Sequence, residues 1–180
     1  MNELNDLYFF TLYKIHKIIM SKKGEFLMNE KLKAFVGHDR YEDYYKDKWQ
    51  KEYSWNWVAF FFTVPWLGYR KMFGQIFAIV ALYLVTDSIF YLTADEDTID
   101  LIGAIIGLIV SFIYGFLGNK MYKNKAEKTI THISRLNYSE DDELNEISKK
   151  GGASSGGIFT SIGIYILYFL ASLVLYSIVI

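Results

Sequence analysis

Apolar residues in this chain gather into long runs from which basic residues are excluded. Residues 75–93 (QIFAIVALYLVTDSIFYLT), 99–118 (IDLIGAIIGLIVSFIYGFLG) and 157–180 (GIFTSIGIYILYFLASLVLYSIVI) contain no Lys or Arg. As helices rising 1.5 Å per residue they would measure about 28–36 Å, matching the hydrocarbon core of a bilayer. All 19 Lys and Arg fall in residues 1–54, at Arg70–Lys71, or in residues 119–156. The connection 94–97 is ADED. Every basic segment can therefore lie on one side of a membrane, as the positive-inside rule requires. The pattern predicts an all-α integral membrane protein with three transmembrane helices, at 75–93, 99–118 and 157–180. Residues 1–53 and 119–156 are then cytosolic, the N-terminus inside and the C-terminus outside.

Residues 54–74 (SWNWVAFFFTVPWLGYRKMFG) break this rhythm. Their apolar core, 55–69, would be about 22 Å long as a helix, short for a crossing. A crossing would also put Arg70–Lys71 and segment 119–156 outside. The expectation is a surface-lying or shallow re-entrant element, turned at Pro65, the only proline. Phe60, Phe61 and Phe62 would supply depth. Trp55, Trp57, Trp66 and Tyr69 would sit at headgroup level, with Arg70 and Lys71 holding the element there. Asn56, between two tryptophans, either caps a helix or binds a neighbour.

The charged, aromatic stretch 29–53 suggests a helix with an aromatic side (Ala34, Tyr41, Tyr44, Tyr45, Lys48, Trp49), opening after Gly37 with Asp39 as N-cap. Packing or headgroup contact is the simpler use of that side than a binding site. Two readings stand for residues 1–27. One is an amphipathic surface helix with Leu7, Phe10, Lys14, Ile15 and Ile18 on one face. The other is that Lys22-Lys23-Gly24-Glu25 reflects a purine-rich ribosome-binding site and translation begins at Met28.

Within residues 99–118, Gly103, Gly107, Ser111 and Gly115 recur every four residues. Such a stripe lets another backbone approach closely, from within the chain or from a second copy. Past Gly118 the helix should continue, with Tyr122, Ala126, Ile130 and Ile133 on one face and Lys120, Lys123, Lys125 and Lys128 flanking. These lysines invite anionic lipid headgroups, or serve topology alone. Ser139 with Asp142–Glu143 reads as the start of a short helix with Leu144 and Ile147 inward. Residues 151–157 (GGASSGG) read as a flexible linker.

Composition excludes some chemistry. Zero Cys rules out disulfides and thiolate sites, and a net charge of −1 gives no reason to expect nucleic acid. His16, His38 and His132 are scattered without metal-ligand spacing, and no nucleotide or nucleophile motif occurs. No cofactor and no metal is expected. Asp87 is the one ionisable residue well inside a span. It has Thr86, Ser88 and Tyr91 nearby, so a structural role weighs above a functional one.

Phe35-Val36-Gly37, Tyr44-Tyr45, Trp49, then Trp55-Asn56-Trp57-Val58-Ala59-Phe60-Phe61-Phe62, Pro65-Trp66 and Tyr69-Arg70-Lys71-Met72 together resemble a bacterial membrane family, domain of unknown function 2628. Gly118-Asn119-Lys120-Met121-Tyr122 and Gly151-Gly152 are similar to later family features, so the resemblance covers about residues 34–152. The chain departs from the pattern at Thr63-Val64 and Gly68. The resemblance implies a multi-span inner-membrane protein and brings no activity. The leading expectation is a non-enzymatic scaffold, regulatory or interaction protein, with a membrane protein, a second copy or lipid as partner. A small transporter or channel subunit using Asp87 and the glycine groove is the alternative. A lipid-directed enzyme ranks third, because no paired acid and base appears.

Overall fold

The computed structural model describes residues 2–179, with side chains described at Phe10 and over residues 12–178. Among these, the regular structure is helical. Helix α1 (Asn2–Val36) is followed by α2 (His38–Arg40), a single π turn (Tyr41–Tyr45) and α3 (Lys46–Gln50). Two short helices, α4 (Trp57–Phe61) and α5 (Thr63–Tyr69), precede α6 (Phe73–Phe90), α7 (Glu96–Ser134), α8 (Glu140–Lys150) and α9 (Ser155–Val179). Three of these helices are long and apolar enough to cross a membrane, and they include residues 75–90, 99–118 and 157–178. Their outer faces, among them Leu82, Val85 and Ile89 on α6, Leu101, Ile105 and Leu108 on α7, and Ile166 and Leu170 on α9, are exposed. An apolar surface of that extent needs a non-aqueous neighbour.

Helix α4 rises antiparallel to α7: Asn56 meets Asn119 while Phe60 lies over Gly115. Helix α5 returns antiparallel to α9, with Gly68 seated on Gly157 and Ser161. Since α7 and α9 themselves run in opposite directions, α4 and α5 form a hairpin, and its tip is Phe62. The helix breaks there (φ −129°, ψ 49°), three residues before Pro65. That offset has a physical cause. A proline within the first turn of α5 lacks only an N–H that would have no intrahelical partner, whereas one turn later it would remove a hydrogen bond. Both feet of the hairpin, Asn56 and Arg70, lie at the polar end of the bundle. Its tip shares a cavity with Gly107, Val110 and Ser111, about midway along residues 99–118. The element is thus a hairpin that reaches about midway along the apolar part of α7.

Helix α7 is about 58 Å long, roughly twice a hydrocarbon core. Its second half carries a separate core. Tyr122, Ala126, Ile130 and Ile133 are all buried, as the helical spacing predicts, against Leu32, Phe35 and Val36 of α1, Tyr45 and Trp49, and Ile147 of α8. Gly37 ends α1 with φ +97°, a conformation costly for other residues. Asp39 lies inside the first turn of α2 and caps nothing: Gly37 holds the N-cap position without a side-chain bond. Ser139 does cap α8, accepting from the Asp142 N–H at 3.3 Å.

Residues 151–157, expected as a loose linker, are docked at three points. The Gly152 N–H donates to the Phe35 carbonyl at 2.5 Å, the Ser154 N–H to Tyr69 at 3.0 Å, and Lys71 Nζ to the Gly151 carbonyl at 2.6 Å. Glycine here permits contact rather than flexibility: a Cβ on Gly151 would overlap the Phe35 backbone. The small-residue stripe on α7 is likewise used unevenly. Nothing approaches Gly103, and Gly107 faces only the Tyr83 hydroxyl. Gly115, with Gly118 beyond the stripe, seats Phe60, Trp55, Ala59 and Trp66.

The tightest helix approach is between α5 and α9, where a Cβ on Gly68 would overlap the Gly157 carbonyl and the Ser161 side chain. Gly68→Val therefore has to push two backbones apart and should destabilise by about 1–3 kcal/mol or more. Gly103→Val meets open space and should be near neutral. Thermal unfolding in detergent compares the two, and equal midpoints would refute this packing.

Candidate functional site at the foot of the hairpin

The polar groups that hold the hairpin converge on Asn119. Its Nδ2 donates to the Ser54 hydroxyl (3.0 Å) and carbonyl (3.2 Å), its Oδ1 accepts from Asn56 Nδ2 (3.0 Å), and its backbone carbonyl accepts from Trp49 Nε1 (3.0 Å). Asn56 does both things the sequence left open. Its Oδ1 caps α4 through the Ala59 N–H at 2.9 Å, its amide binds Asn119, and its own N–H donates to the Gly115 carbonyl at 2.8 Å. Both asparagines are buried, so these bonds replace water that cannot enter. Asn119 had a visible signal, a polar residue at the end of an apolar helix. Asn56 had one too, but nothing in the sequence pairs it with a residue 63 positions away, or Trp49 with one 70 away.

The other foot carries charge. Arg70 is only 6% exposed, and its guanidinium carbon lies 5.0 Å, 5.0 Å and 4.9 Å from the ring centroids of Tyr45, Tyr69 and Tyr122. Arg40 stands over Tyr69 at 5.1 Å. Lys125 Nζ donates to the carbonyls of Arg70 (2.7 Å) and Lys71 (2.9 Å), closing the C-terminal end of α5. Burial, and then the neighbouring Lys71 and Arg70 charges, bring the Lys125 amine down to about 8. Burial pushes the phenols of Tyr45 and Tyr122 up, so both remain neutral at ordinary pH.

The remaining residues singled out in the sequence separate into three places. Trp66 and Arg70, expected at headgroup level, are instead buried, because Trp66 packs on Tyr122 and Gly118 and Arg70 on the tyrosine rings. Trp57, Phe61 and Phe62 are exposed, and Trp55 and Phe60 pack on Phe112. Tyr69 forms a wall of the arginine site, and Lys71 binds the carbonyls of Gly151 and Lys149. Pro65, Gly107 and Ser111 line a cavity of about 450 Å³ at the hairpin tip, together with Tyr83 and Tyr165. Asp87 lies apart from the foot of the hairpin. Its carboxylate accepts from Tyr168 (3.0 Å) and Ser172 (2.7 Å), clamping α6 to α9. Among the described residues no group of His, Asp or Glu has the geometry of a metal site.

The asparagine pair yields one expected outcome. Asn119→Ala strands buried donors and acceptors on Asn56 and Ser54, each costing about 1–3 kcal/mol. Asn56→Ala should cost a similar amount, and the double variant clearly less than both together, because the two share one bond. Chemical unfolding in detergent reads the coupling; strict additivity would dissolve the pair. Lys125 yields a second. Its amine titrates near 8 in the fold and near 10.5 in the unfolded chain. Between these values the unfolded state binds more protons, so stability rises with pH. The raised tyrosines act oppositely, and only above pH ~10. Unfolding midpoints should therefore climb between pH 8 and 9.5, and Lys125→Met should flatten the climb.

No curated protein and no solved structure matches the chain. A family model does, over residues 21–128, a stretch that contains the second half of α1, the hairpin, α6 and α7 through Lys128 and leaves Gly151-Gly152 outside. The matched stretch holds both asparagines, Arg70 and its three tyrosines, and the chain belongs to the family described as protein of unknown function DUF2628.

Proposed function

We propose that the chain is a multi-pass protein of the bacterial cytoplasmic membrane that acts without catalysis, as a scaffold or regulatory interaction protein addressed from the cytosol. In this reading residues 1–53 and 119–156 are cytosolic, the C-terminus is outside, and residues 54–74 re-enter from the cytoplasmic face. The observation that carries it is the free half of α1. Over residues 10–27 its described side chains are exposed, including Phe10, Tyr13, Ile18, Ile19 and Phe26, among Lys14, Lys17, Lys22 and Lys23. Only from about residue 29 onward does the helix bury side chains in its own fold. An apolar, basic helix without an intramolecular seat is suited to a partner helix or a membrane surface.

The alternative, a small transporter or channel subunit, draws on the cavity at the hairpin tip. Tyr83, one of its walls, lies one helical turn from Asp87. The absence of further charged groups at mid-span counts against it.

Two measurements test the proposal. The chain has no Cys, so single cysteines report sidedness cleanly. Ala94→Cys should react with an impermeant maleimide on intact cells, and Ser139→Cys only after lysis; the reverse would overturn the topology. A photo-crosslinking residue at Ile18 or Phe26 should trap a discrete protein adduct in native membranes, and one at Asn145 on α8 should not. Equal labelling at both places, or none at the arm, would overturn the interaction reading.

A further inference from the structure

Arg70 is a buried arginine without an acid beside it. Arg70 Nε and Nη1 are buried with no hydrogen-bond partner, and no ion pair to Arg70 or Arg40 exists among the described residues. Guanidinium does not deprotonate to escape burial. The three tyrosine rings stabilise its faces, but cation–π contact leaves the in-plane N–H groups unanswered. Nor can the tyrosines supply a counter-charge, since burial holds Tyr45 and Tyr122 protonated. The neighbouring charges, Lys71 and Lys125, are both positive and both already bound to carbonyls. An uncompensated buried charge is costly, so this environment favours an anionic partner.

Arg70 also borders a cavity of about 290 Å³, whose walls include Arg40, Tyr44, Tyr45, Tyr69 and Asn56. Its walls are mainly apolar, and the charged side chains among them are two guanidiniums, with no acid in the lining. The volume suits a phosphate group with a small substituent. We propose that this cavity is a binding site for a phosphate-bearing anion, held by Arg70 from within and by Arg40 at the mouth. Val58 lines the same cavity and is exposed, and Trp57 and Phe61 beside it are exposed too. An apolar surface at the rim would accommodate acyl chains next to a headgroup, which makes an anionic phospholipid the expected source. This inference is independent of the α1 arm and draws on the membrane placement only in naming that source.

The test uses the full chain purified in a maltoside detergent, with unfolding temperature and binding measured on titration. The probes are phosphatidylglycerol, the uncharged diacylglycerol with the same chains, and inorganic phosphate. Phosphatidylglycerol should raise the midpoint and diacylglycerol should not. Arg40→Gln should weaken phosphatidylglycerol binding roughly tenfold, read as the lipid-induced shift from the variant's own lipid-free midpoint, since about one charge-assisted bond is lost. Arg70→Gln, which removes the uncompensated charge, should abolish the response. A response to phosphatidylglycerol alone identifies a lipid headgroup. An equal response to inorganic phosphate identifies a soluble phosphate compound, and both results uphold the site. Equal stabilisation by diacylglycerol, no response to either phosphate probe, or an undiminished response in Arg40→Gln would overturn it.

Discussion

A carboxamide pair inside the bundle governs how the rest of this molecule is arranged. Asn119 lies where α7 passes from its apolar half to its polar half, and a buried carboxamide there must find partners. It finds them in Ser54 and Asn56, which fixes the entry of the hairpin, and its carbonyl takes Trp49, which fixes the helices before it. Gly115, about one turn before Asn119, and Gly118, the residue next to it, let α4 come close enough for those bonds. Polar need and small size at neighbouring positions of one helix thus define a single docking geometry.

That geometry joins two halves with different surfaces. Above Asn119, apolar side chains face outward and the three long helices share few polar contacts, chiefly the Asp87 clamp between α6 and α9. Below it, tyrosine and tryptophan rings pack against Tyr122 in a core built from α1, the π turn, α3 and α7. The hairpin belongs to both halves. Its tip lies among the long helices, and its feet end in the asparagine pair and in the arginine among tyrosines.

How much of this the sequence revealed follows from the range of the forces involved. The three long helices and the inward face Tyr122, Ala126, Ile130, Ile133 were legible because periodicity is local. The hairpin was legible from its length and from the placement of charge around it. How far it reaches along the long helices was not, because that depends on the seats at Gly115, Gly118 and Gly157, contributed by residues far along the chain. Likewise, a sequence cannot distinguish an arginine at an interface from one enclosed by rings: Arg70 follows a tryptophan and a tyrosine just as a headgroup anchor would. The run 151–157 misled for the opposite reason. Glycine and serine resemble a linker whether small size serves freedom or contact.

The position of the hairpin in the chain has a consequence for how the protein is made. Residues 57–69 leave the ribosome well before their seats exist: Asn119 follows Asn56 by 63 residues, and Gly157 follows Gly68 by still more. Until then Phe60, Trp66 and Leu67 have no core, and contacts across so long a loop form late. The Gly68–Gly157 approach therefore closes only when α9 arrives and traps a segment made much earlier. A chain interrupted before residue 155 would expose that hairpin to quality-control proteases, with every residue of the hairpin itself intact.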